Sequence, residues 1–67
     1  MSDTRDYRIF VYGLGTIAQG IPGTDADDAL RRYIGMFGDE APTHVGFNEA
    51  RISCGPHMDK KMIAVTP

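Results

Sequence analysis

Cys54, His57 and Asp59 lie close together in Cys54-Gly55-Pro56-His57-Met58-Asp59, and His44 stands upstream of them. Two chemistries use such residues. A Cys-x-x-His pair can present a thiolate and an imidazole to one metal ion. A structural zinc site wants about four ligands, and a second compact pair is missing even if His44 serves as a third. Alternatively, an imidazolium beside the thiol depresses its pKa and makes a nucleophile, with Asp59 orienting the ring. A chain of 67 residues leaves little room for an oxyanion hole and a walled pocket. The simpler reading makes Cys54 a small apolar strand-end residue and Gly55-Pro56-His57 a turn. The expectation is therefore no catalytic residue, no metal ligand and no cofactor, in a protein that is not an enzyme.

A second candidate is the stretch Arg8-Ile9-Phe10-Val11-Tyr12-Gly13-Leu14-Gly15-Thr16-Ile17-Ala18. It runs like a strand into G-x-G-x-x-A, the dinucleotide-binding fingerprint. From Gly13 to Gly20 it resembles the glycine loop of homoserine dehydrogenases and related enzymes, which implies a bound nicotinamide cofactor. That resemblance covers eight of the 67 residues. The fingerprint needs a helix starting inside it, whose N-terminus meets the pyrophosphate. Here Gly20, Pro22 and Gly23 destroy that helix. Asp39 and Glu40 sit near the spacing of the ribose-binding acid, but they follow a helix pattern rather than a strand. The glycines are read as the turn of a bent hairpin.

Charge supplies a third candidate. Arg31, Arg32, Arg51, Lys60 and Lys61 form a basic set that can contact phosphate, with Tyr7, Phe10, Tyr12 or Phe47 as stacking platforms for bases. Seven basic residues against nine acidic ones, a net charge of −2, disfavour nonspecific nucleic-acid binding. Asp25, Asp27 and Asp28 are explained by capping and the helix dipole. Asp39 and Glu40 gain nothing from the negative end of the helix and are free for a basic partner.

These residues need elements to hold them. Tyr7 to Tyr12 reads as a central strand, with Tyr7, Ile9 and Val11 on one face and Phe10 and Tyr12 on the other. Thr16 to Ile21 is a weakly alternating second strand, which Pro22-Gly23 breaks. A helix is expected from Ala26 to about Phe37, with Thr24 or Asp25 as its N-cap and Asp28, three residues after Asp25, resembling a capping-box partner. Ala26, Leu30, Tyr33, Ile34 and Phe37 make its apolar stripe. Gly38 ends it. Met36 lies off the stripe. Val45 and Phe47 fall out of phase with Ala50, Ile52 and Cys54, so either Asn48-Glu49 is a two-residue turn or a bulge sits there. Gly55 to Lys61 is a loop, and Met62 to Thr66 is the last strand. Short connections favour antiparallel pairing. The expected fold is α+β: a small, mainly antiparallel sheet of about three to five strands with a single helix, in the order β-(β)-α-β-β-β, on one face.

Composition bounds the rest. At 42% hydrophobic and 24% charged, the chain has globular rather than disordered character. It is one domain, residues 7–67, behind a polar N-terminal tail, residues 1–6, that leads into no signal-peptide core. No apolar run approaches the ~20 residues of a membrane span. A single cysteine allows no internal disulfide and fits a cytoplasmic setting. A core this small rarely supplies more than about 3–5 kcal/mol. One helix covers one sheet face, and the other, carrying Phe10 and Tyr12, is left for a partner or a second copy. Four methionines, Met1, Met36, Met58 and Met62, add adaptable apolar surface. The expectation is a protein-binding module, in the size and style of a phage or mobile-element accessory or inhibitor protein, acting by stoichiometric contact and prone to homodimerise. Its candidate interface is Phe10, Tyr12, Met36, Asp39, Glu40 and Phe47. The alternative is a nucleic-acid- or nucleotide-binding regulator using the basic set.

Overall fold

The computed structural model describes residues 3–66; the remaining residues, Met1 among them, lie outside it. The elements are β1 (Arg5–Val11), β2 (Gly15–Gly23), α1 (Ala26–Gly35), a 3-10 turn (Gly38–Glu40), β3 (Thr43–Gly46), β4 (Glu49–Arg51) and β5 (Lys61–Val65). The strands form one five-stranded sheet in the order β2-β1-β5-β4-β3. Every neighbouring pair is antiparallel. This is an α+β fold with the helix packed on the sheet.

The topology forces that packing. β2 and β3 are the opposite edges of the sheet, and α1 is the chain between them. The helix therefore crosses the sheet, and one face is covered. Its N-terminus forms as the acids predict. Asp25 caps it, its Oδ1 accepting from the Asp28 N–H at 2.8 Å. Asp28 reaches back to the Thr24 N–H at 2.9 Å, one residue before the usual partner of a capping box. The helix stops at Gly35, short of the expected Phe37. Gly38, with φ +61°, then starts the 3-10 turn.

Alternation on β1 sorts the core. Ile9 and Val11 are fully buried, and Tyr7 nearly so. Ile21, Met62, Ala64 and Ala50 on the other strands, and Ala29 and Leu30 of the helix, complete this core. Fully burying one aliphatic side chain stabilises by roughly 1.5–3 kcal/mol. The alanines matter for geometry: they let the helix lie close to the sheet. At Gly23 the approach leaves no room for a side chain: a Cβ there would meet the Ala29 backbone nitrogen at 2.6 Å.

Expectations about β1, β2 and the β3–β4 hairpin are corrected. Pro22-Gly23 does not break the strand, because β2 is an edge strand where a missing N–H costs no ladder bond. Its weak alternation comes from two irregularities. Tyr7 pairs with Ile21, Ile9 with Ala18 and Phe10 with Thr16, so β2 inserts an extra residue twice. In the β3–β4 hairpin Gly46 pairs with Glu49, which makes Phe47-Asn48 the turn rather than Asn48-Glu49. A register shift also lies between His44 and Gly46, so turn and bulge are both present. β1 begins at Arg5 rather than Tyr7.

Candidate functional site: the open face of the sheet

The glycine stretch is strand, turn, strand. Val11 pairs with Gly15 across Tyr12-Gly13-Leu14, and Gly13 and Gly15 both have φ near +91°. The segment that a dinucleotide fingerprint needs as a helix is β2. Among the described residues the α-helix, α1, begins only at Ala26, after β2.

The Cys54, His57 and His44 set is not brought together. His44 lies on β3, with Nε2 2.8 Å from Asp27 Oδ1. Cys54 and His57 are exposed in the loop before β5. Among the described residues no three His, Cys, Asp or Glu side chains are grouped to hold a metal.

His44 belongs instead to a tertiary anchor centred on Asp27. The carboxylate accepts from Arg31 Nε at 2.8 Å and from the Asn48 N–H at 2.7 Å, besides its contact with His44. The Arg31 bond above all, then His44 and the Asn48 amide, holds the Asp27 carboxyl well below the usual carboxylate range. Asn48, at φ +52°, sends its own side chain to β5, where Oδ1 accepts the Ala64 N–H at 2.9 Å. β4 pairs with β5 only at Met62 and Lys61, so Ala64 lies beyond its last pair. The Asn48 amide replaces the missing strand there. Asp27 was assigned to helix capping from sequence; its side chain joins helix, hairpin and sheet.

The basic set divides. Arg31 and Arg32 lie on the helix and pair with Asp27 and Asp28 at i,i+4. The Thr24 N–H, ahead of Arg32, lowers the Asp28 carboxyl pKa. Arg51 and Lys61 lie directly opposite each other on the uncovered side of the sheet. Lys60 precedes β5, its ammonium close to Gly13.

The candidate interface divides too. Met36, Asp39 and Glu40 sit at the C-terminal end of the helix, and Phe47 projects from the β3–β4 turn, 75% exposed. Phe10 and Tyr12 lie on the open face, with rings edge to face at 5.5 Å. Lys61 Nζ stands 5.6 Å from the Tyr12 ring centroid, within cation–π range, and 3.5 Å from Glu49 Oε2.

Register completes this face. Phe10 lies opposite Ile63, and Arg8 opposite Val65. On the other side Phe10 lies opposite Thr16, whose hydroxyl contacts Arg8 Nη1 at 3.4 Å. Half-buried Phe10, Ile63 and Val65 form an apolar centre, and Tyr12 is half exposed. Arg8, Arg51, Lys61 and Glu49 surround them. Arg8, Ile63 and Val65 were not singled out from sequence, although period-two spacing from Phe10 and from Lys61 carries the signal.

A polar hollow of about 720 Å³ also lies beside Asp3, Arg5 and Thr24, at the start of the described chain. Among the described residues no helix is long and apolar enough to cross a membrane. No protein-family model, curated protein or solved structure matches the chain. Its class rests on its own topology: a small α+β domain with one covered and one open sheet face.

Proposed function

We propose that this chain is a non-enzymatic protein-binding module that docks another protein chain on the open face of its sheet. The observation that carries this reading is the grouping of Phe10, Ile63, Val65 and Tyr12 inside a ring of Arg8, Arg51, Lys61 and Glu49. An apolar, aromatic centre with a charged rim is the usual anatomy of an interface, and Tyr and Arg are common among residues that dominate binding energy. Strand pairing sets these side chains in register before contact, and such preorganisation lowers the entropic cost of association.

The small core favours a second copy as one such partner. Three of the buried residues, Ala29, Ala50 and Ala64, bring little apolar area. Small domains often gain their remaining stability from association. Within this reading the chain acts by stoichiometric contact, as an inhibitor or accessory protein of the phage type would, and a cytoplasmic setting would keep exposed Cys54 a thiol.

The test is light scattering over a concentration series, together with recovery of bound protein from source-cell lysate, each run on the wild type and on Tyr12→Asp. A dimer or a bound protein lost in Tyr12→Asp supports the reading. A partner retained unchanged by the variant, or neither dimer nor partner in the wild type, overturns it.

A second reading has its own observation: Arg8, Arg51 and Lys61 share a face with Phe10 and Tyr12. Single-stranded nucleic acid uses that combination of cations and stacking rings. Titration with oligothymidylate at low and moderate salt tests it. Salt-sensitive shifts confined to this face favour nucleic acid over protein.

A further inference from the structure

On the helix-covered side, one apolar cleft opens beside the C-terminal end of α1. Its volume is about 300 Å³, at the lower end of ligand-site sizes and enough for one or two side chains. Ile17, Tyr33, Phe37, Ile52 and Met62 wall it. Ile17 reaches this side because it is the residue inserted between Thr16 and Ala18. Tyr33 and Phe37 stack edge to face at 5.0 Å and make one wall. Burial pushes the Tyr33 hydroxyl pKa up.

The electrostatics of the rim have one sign. The 3-10 turn brings exposed Glu40 to the cleft, its N–H bonded to the Phe37 carbonyl at 3.3 Å. Glu40 makes no ion pair among the described residues, and Asp39 precedes it. No Lys or Arg lines the cleft. The adjacent end of α1 adds the partial negative charge of its last carbonyls. An apolar hole with a free carboxylate and a helix C-terminus beside it complements an apolar group next to a cation. A partner with an anion there meets two repulsions.

We infer that this cleft is a second docking site, which takes a large apolar side chain of a partner protein flanked by Lys or Arg. The site is separate from the open sheet face and does not depend on how that face is used.

The experiment is NMR titration of the intact chain with the capped dipeptides acetyl-Phe-Lys-amide and acetyl-Phe-Glu-amide, at low salt. Cys54, which also lines the cleft, supplies a second readout through its alkylation rate with iodoacetamide. The expected result is shifts at Ile17, Tyr33 and Ile52 with slower Cys54 alkylation. The lysyl peptide should bind about two- to five-fold more tightly than the glutamyl one, the range of an exposed ion pair. Glu40→Gln should shrink that preference while leaving the fold intact. Equal affinities in the wild type, an unchanged preference in Glu40→Gln, or shifts elsewhere would overturn the inference. Phenethylammonium binding as tightly as the lysyl peptide would overturn the assignment to a protein segment.

Discussion

The two faces of this sheet are built from the same strands and end in opposite conditions. On the covered face Ile9, Val11, Ala64 and Met62 meet Ala29 and Leu30 of the helix and are removed from water. On the open face their immediate neighbours Phe10, Ile63 and Val65 meet one another, their cross-strand partners and the Tyr12 ring, with no helix above them among the described residues. The first set is specified by shape, since small residues opposite larger ones set the helix distance. The second set is specified by register alone. Such a face has its side chains set in register by the strands beneath them and is not covered by the helix. That combination suits recognition more than stability.

The comparison breaks most readily at its strongest side. Leu30→Ala should cost about 2–5 kcal/mol, enough to unfold most of the population of a chain this small. Thermal melts followed by circular dichroism check it, and a retained native melt would mean that the helix does not hold the covered face. Gly23→Ala acts on the same face by overpacking. Its new Cβ would have to displace the Ala29 backbone, at a cost of about 1–3 kcal/mol.

Asp27→Asn should cost about 1–3 kcal/mol, since charged hydrogen bonds to Arg31, His44 and Asn48 are weakened together. The sign of its pH dependence follows from the lowered pKa. Stability from the Asp27 carboxylate is complete above the ordinary carboxylate value of about 4. It is lost as pH falls from there toward the lower folded value. Denaturant melts across that window should show a shallower acid decline in Asp27→Asn than in the wild type, and parallel curves would contradict the anchor.

On the open face Tyr12→Ala should change stability by less than about 1 kcal/mol, because half of the ring is already in water. Its effect belongs in binding. Lys61→Ala should be smallest, within about 0.5 kcal/mol, since its pairing with Glu49 is partly exposed. If Tyr12→Ala destabilised as strongly as Leu30→Ala, the two faces would not differ as described.

The helix was legible in the sequence because its signals are local. Asp25 and Asp28 mark its start, and Leu30, Tyr33 and Ile34 repeat with its period. The inward set Tyr7, Ile9 and Val11 was legible for the same reason, as was the opposite placement of Phe10 and Tyr12. β2 was half legible: inserted residues erase the alternation that identifies a strand, and an edge position tolerates Pro22.

The candidate site was legible only in fragments. Phe10 and Tyr12 were named with Met36 and Phe47, which the fold sends elsewhere. Arg51 and Lys61 were grouped with Arg31 and Arg32, whose side chains turn to Asp27 and Asp28. What the sequence by itself determined was the element types, the capping and the inward residues of β1, because those depend on neighbours along the chain. Only the tertiary structure decided that Asp27 anchors a distant hairpin, that Ile17 turns toward the helix, and that Arg8, Arg51 and Lys61 gather around Phe10 and Tyr12. Those contacts depend on strand order and register, which bring together residues whose separation along the chain carries no local signal.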